Sequence, residues 1–205
     1  MQLGVDRTGF PLLRLPLTGI EMHALPITKV QFERFLADPN EYGDSWYEAV
    51  LAVNPRVAPY AFSAENRERL LLTGILPFEV EAFCAWLGEG FRVPTAEEWR
   101  AAYNELGSIP REAVAGLQDL PAIAAGILHR LAAQIPTGSA REFALLAGGV
   151  VEWVRRGDSW LGLGAPRYQF HRNAWNPLFN EVRPIRAGDR LPFFGFRLVR
   201  GGGAG

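Results

Sequence analysis

Apolar residues recur at helical spacing in three stretches of the chain. In KVQFERFLA (29–37), Val30, Phe32, Phe35 and Leu36 make one stripe. Thr28 stands at the N-cap and Asp38-Pro39-Asn40 stops the run, which predicts an amphipathic helix of about two turns. In PFEVEAFCAWLG, Val80, Phe83, Cys84 and Leu87 fall at i, i+3, i+4 and i+7, with Pro77 in the first turn and Gly88 at the end. Cys84 on that face is a small core hydrophobe, and a buried apolar thiol is inert. RVPTAEEWRAAY carries the clearest local signal. Thr95 is an N-cap, Glu98 three residues on completes a capping box, and Trp99, Ala102 and Tyr103 share a face. Glu97 and Glu98 sit where the helix dipole favours negative charge, so neither needs an acid/base role.

Elsewhere the period is two or is lost. Leu13, Leu15 and Leu17 alternate among Pro11, Pro16 and Gly19, which predicts short strands and turns over 10–25. GGVVEWV reads as a buried strand. FFGFRLVR reads as a last strand, with at least Phe194 or Phe196 turned inward, before a flexible tail at 201–205. Residues 42–69, rich in Pro, Asn and Tyr, read as ordered loop with a helical turn at 64–70. At 107–135 the composition shifts to Ala, Leu, Ile and Gly around Pro110 and Pro121; this is read as an insertion packed on the domain, with a short apolar helix in LPAIAAGILHRLAAQ. Residues 159–194 keep no period and read as a long loop. The layout predicts a single α+β domain over 1–200: two or three helices, small antiparallel sheets, long ordered loops and the chain ends joined in one sheet.

A chain of 205 residues that is 48% hydrophobic and 12% aromatic can bury a real core. Its formal charge of −1 gives no basic field, so nucleic acid is not an expected partner. Asp6, Arg7, Pro11, Arg14 and Pro16 interrupt the first residues before any apolar run long enough for a signal peptide, and no run approaches a membrane span. A soluble protein without a visible export address is expected, its location open. Cys84 is the one cysteine, which excludes an intrachain disulfide and a cysteine-based metal site. Twenty arginines stand beside Lys29 alone, a bias that a GC-rich genome or selection for heat can produce.

Several blocks line up in order with one family. PITKVQFERFL, PFEVEAFCAWLG, RVPTAEEWRAAY, PTGS, AGGVVEWV, RGDSW, RNAWNP and GFRLVR, spanning Pro26 to Arg200, resemble the formylglycine-generating enzyme (sulfatase-modifying factor) domain. The resemblance implies a C-type-lectin-like α+β fold. It also implies a chemistry that this chain lacks parts for, and function has to be argued from the site rather than the fold. The family's enzymes oxidise a substrate cysteine with a copper-binding cysteine pair in the C-terminal third, where this chain has none. A calcium-site asparagine of the family falls on Gly149, with Val151 in place of a tryptophan, and glycine offers no side-chain oxygen. Related iron sulfoxide synthases take histidine ligands from an added helical domain, for which a chain of this length, with only His23, His129 and His171, is expected to have no room. No metal or cofactor is therefore expected.

By position and composition the C-terminal region resembles another branch of that fold, the variable proteins of diversity-generating retroelements. These are non-enzymatic and display a hypervariable ligand-binding face ending at a G-F-R-type strand. Adenine-directed mutation of AAC or AAT codons never yields Trp, Gln, Glu, Lys or Met. Trp160, Gln169, Trp175 and Glu181 would then be fixed scaffold, while Leu161, Leu163, Tyr168, Phe170, His171, Leu178, Phe179 and Asn180 are the candidate contact residues. Large apolar groups in a Gly- and Pro-rich stretch are difficult to bury together and mark a surface for a protein or other macromolecular ligand. The alternative is a formylglycine-generating-enzyme-like or other metal-dependent oxidoreductase with an uncommon site. Arg156-Gly157-Asp158 coincides with a family block and reads as a structural turn. Arg172 and Arg197 fall on family arginines that tie loops to the sheet, and Trp153 and Trp160 on core positions.

Overall fold

A computed structural model describes residues 1–38, 70–116, 119–122, 124–126, 128, 138–146, 150–164, 176–184 and 188–201. The expected loop at 42–69 lies outside the described residues, as do the expected helical turn at 64–70 apart from Leu70 and the expected tail at 201–205 apart from Gly201.

Three helices form where the apolar stripes fall: α1 (Lys29–Ala37), α2 (Pro77–Leu87) and α3 (Ala96–Gly107). Thr28 caps α1, and Gln31 reaches back to close a capping box. At α3 the Glu98 amide donates to Thr95 Oγ1 at 3.1 Å, and Glu98 Oε2 accepts from the Thr95 amide at 2.8 Å. Arg92 donates to both oxygens of that carboxylate at 2.6 Å. The hydrogen bonds and the charge outweigh the upward push of partial burial and hold Glu98 below the ordinary carboxylate range. A fourth, single-turn helix, α4 (Ala140–Phe143), packs beside α3.

Among the described residues, seven short strands make two sheets. In the first, β1 (Leu3–Val5), β2 (Pro11–Arg14), β3 (Glu21–His23) and β7 (Val199–Arg200) lie side by side, all antiparallel. Met22 pairs with Val199, so the two ends of the sequence do meet in one sheet. In the second, β4 (Val151–Arg156) forms an antiparallel hairpin with β5 (Ser159–Leu163) and pairs in parallel with β6 (Phe194–Gly195). FFGFRLVR is therefore not one strand. Its first part serves the second sheet and its last two residues close the first, and the buried Arg197 lies between them. The sheets also include one parallel pair where only antiparallel pairing was expected.

The core has two neighbouring clusters. One gathers Phe10, Leu13, Leu15 and Met22 against Trp99, Ala102 and Leu106 of α3. Val114, Leu120, Ala124 and Leu128 join it, so these described parts of 107–135 lie on the core. The other is aromatic: Phe32, Phe35, Phe83, Trp153, Phe194 and Phe196 are all buried, with Phe83 and Phe196 edge to face at 5.6 Å. Each such ring contributes about 1.5–3 kcal/mol by leaving water.

Two buried charge sites fix the frame. Arg197 donates to Glu152 at 2.6 and 2.8 Å, to the His23 carbonyl at 3.0 Å and to the Ala144 carbonyl at 2.8 Å. Trp99 Nε1 completes the Glu152 carboxylate at 3.0 Å, so the arginine that ends the aromatic run ties both sheets, α3 and the loop after α4. His23 Nε2 lies 2.9 Å from Asp6 Oδ2, and its ring stacks on Phe91. This histidine is a satisfied core residue.

Candidate functional site

The face is set up by the β4–β5 hairpin. Arg156 pairs with Ser159 across a two-residue turn, Gly157-Asp158, in which Gly157 has φ of 54°. The Arg156-Gly157-Asp158 sequence is thus a hairpin tip, a conformation that suits glycine. Beyond it, Leu161 and Leu163 alternate inward to 1% and 0% exposure. Gly162 between them lies under Val151 and Phe194, whose ring carbon would sit 2.6 Å from any Cβ there. These two leucines belong to the core and not to a contact surface. The first five residues of the expected loop, Ser159–Leu163, are therefore strand.

After Gly164 the described chain resumes at Asn176, whose side chain builds a turn. Asn176 Oδ1 accepts from the Leu178 amide at 2.9 Å, and Asn180 Oδ1 accepts from the Asn176 amide at 2.7 Å. The Phe179 and Asn180 amides both donate to the Asn176 carbonyl. Two anchors hold this turn to the domain. Val182 pairs with Gly162 at the outer edge of β5, with bonds of 2.8 and 2.9 Å, and Arg100 of α3 donates from Nε to the Leu178 carbonyl at 2.6 Å. Leu178 and Asn180 are half-buried parts of the turn, whereas Phe179 is 76% exposed. A phenylalanine is thereby held outward by a turn with little freedom to fold it away. Tyr168, Phe170 and His171, together with Arg172, lie outside the described residues.

Charge surrounds the turn. Glu181 accepts from Arg100 at 2.8 Å and from both terminal nitrogens of Arg156, with Arg183 at 3.9 Å. Arg156 and then Arg100 hold its carboxyl below the ordinary range, and Glu181 in turn holds the Arg156 guanidinium above its ordinary value. Arg155, paired with Glu81, lies 4.1 Å above the half-buried Trp160 ring, which meets Trp153 edge to face at 6.0 Å. Trp153 is core as expected, while Trp160 is a half-covered shoulder. Sequence reading did not find this arginine group, because Arg100 and Arg156 are brought to Glu181 by tertiary pairing, and only Arg183, two residues on, is near it by spacing.

The chemistry of the remaining candidates is limited. Burial, with the Glu81 charge beside it, pushes the Cys84 thiol up to about 12, so at neutral pH it is not the thiolate that attacks or binds metal. Among the described residues no group of three or more His, Cys, Asp or Glu could hold a metal ion. Gly149 lies outside the described residues, and Val151 is buried in the core. No helix among the described residues is long and apolar enough to cross a membrane.

The family described as the sulfatase-modifying factor enzyme 1-like domain matches residues 1–118. No curated protein matches the chain. The match takes in β1 to β3 and α1 to α3, the frame on which the later residues are mounted, and it reaches the face at Arg100 and at Glu81, the partner of Arg155. With more than half of its residues inside that match, the chain belongs to the sulfatase-modifying factor enzyme 1-like family.

Proposed function

We propose that the protein is a non-enzymatic ligand-binding protein whose contact face lies in the C-terminal part, mounted on a C-type-lectin-like form of the family fold. The observation that carries this reading is Phe179, held outward on a turn that is pinned at two points to the edge of the domain. Large apolar side chains that a rigid scaffold keeps in water are the usual anchors of an interface. Two facts of the sequence add support: the C-terminal third has no cysteine, and Cys84 stands alone on α2.

The finer form of the proposal is a variable protein of a diversity-generating retroelement. The DNA flanking the gene tests it. A near-copy of the codons for 159–200 that differs at adenines, beside a reverse transcriptase gene, is the expected finding; its absence leaves a binder of fixed specificity. The enzymatic alternative rests on family membership. Stoichiometric copper or iron in the purified protein, together with oxygen uptake on a cysteine-containing peptide, would replace the binding proposal with a metal-dependent oxidoreductase.

A further inference from the structure

Phe179 stands beside a row of charges whose signs alternate. Glu97 of α3 lies 4.0 Å from Arg156, Arg156 donates to Glu181, and Glu181 lies 3.9 Å from Arg183. In order of contact the row reads minus, plus, minus, plus. Arg100 is tied to Glu181 and to the Leu178 carbonyl, and the neighbouring pairs of Arg155 with Glu81 and Arg190 with Glu79 are closed within the chain. The inner pair of the row is hydrogen-bonded, whereas the contacts at its two ends are longer than hydrogen bonds. Those ends, Glu97 at 70% and Arg183 at 73%, are also its most exposed members, so each has room for a second partner of opposite sign.

We propose that a second copy of this chain covers the face, in a homodimer with a two-fold axis through the row. A row of even length and alternating sign is its own complement: turned end for end, it sets plus against minus at every position. Glu97 of each chain then faces the partner's Arg183, and the Arg156–Glu181 pair keeps its own bonds while facing its reversed copy. Two-fold interfaces use the same patch on both subunits and require this self-complementarity. A partner of a single sign fits the row badly, because alternate positions repel it. Phe179, two residues before Glu181, stands at the middle of the row and meets its own copy near the axis, the place where apolar anchors contribute most. The exposed ion pairs add little free energy in water; they fix register and orientation.

The dimer rests on the reading of Phe179 as a contact anchor, and the two can fail separately. A chain that stays monomeric overturns the dimer and leaves the ligand-binding reading, whereas metal-dependent oxidation of a cysteine peptide removes that reading and leaves the dimer. The test is sedimentation equilibrium of the full chain from micromolar concentration upward, where a mass of two chains is expected. Glu97→Arg and Arg183→Glu each set like charges against each other at both ends of the paired rows, and each should raise the dimer Kd about tenfold, as should Phe179→Ala. The variant carrying both charge reversals again sets plus against minus at every position, and its Kd should return to that of the wild type. This recovery also shows that each altered chain folds. If the two residues acted only within their own chain, the losses would add, because Glu97→Arg repels Arg156 and Arg183→Glu repels Glu181. A monomer at every concentration, a dimer indifferent to any of the three single substitutions, or a double variant weaker than either charge reversal alone would overturn the proposal.

Discussion

Leu161 and Phe179 stand eighteen positions apart in a segment without a lasting period, and nothing in their chemistry separates them. Their surroundings do: Leu161 is in the core at 1% exposure and Phe179 is in water at 76%. Leu161→Ala should therefore cost about 2–5 kcal/mol of unfolding free energy, and Phe179→Ala no more than about 0.5, by urea titration. A similar cost for both would mean that Phe179 packs inward. The inward turn of Leu161 was barely legible, because the alternation that marks β5 lasts for only two leucines around Gly162. At Glu152 the residue type says little, and the pairing with Arg197 spans forty-five positions. Glu152→Ala leaves a buried guanidinium without its carboxylate and should cost about 3–5 kcal/mol, seen as a lower denaturation midpoint.

Helices are legible where their signals are local. The Thr95–Glu98 box lies within four residues, and the apolar face of α3 follows it directly, so sequence and structure agree there. Thr95→Ala should remove about 1 kcal/mol, measurable in the same titration. Strands are less legible because their partners are distant. FFGFRLVR alternates as one strand would, but Phe194 pairs with Val151 and Val199 with Met22, and the division between sheets is invisible in the alternation. The same holds for the candidate face. The turn residues Asn176 and Asn180 carry a local signal, whereas the meeting of Arg100, Arg156 and Glu181 depends on α3 lying against the hairpin. Part of the expected surface, Tyr168 to His171, falls outside the described residues.

At the scale of the molecule, paired carboxylates set the acid response. For Asp6, burial alone pushes the carboxyl up. The hydrogen bond and charge of His23, with Thr8 and the Phe10 amide, outweigh that and leave it below its ordinary value of 3.8. In acid the unfolded chain then takes up the proton first. The contribution is fully present above the ordinary value and disappears as the pH falls through the folded one. Glu98 and Glu181 are shifted in the same direction. Urea midpoints should hold near neutrality and fall from about pH 5 downward, and Asp6→Asn should flatten the fall; an unchanged slope would assign it to other groups. Another consequence concerns synthesis. β3 waits for Val199 and Arg200, and Arg197 must arrive before Glu152 and the His23 carbonyl are satisfied. At translation rates of about 5–20 residues per second, the ribosome exposes the aromatic cluster for some seconds before its closing strand emerges. This frame cannot close its core as its N-terminal helices appear, and the aromatic cluster stays open until the last strand is made.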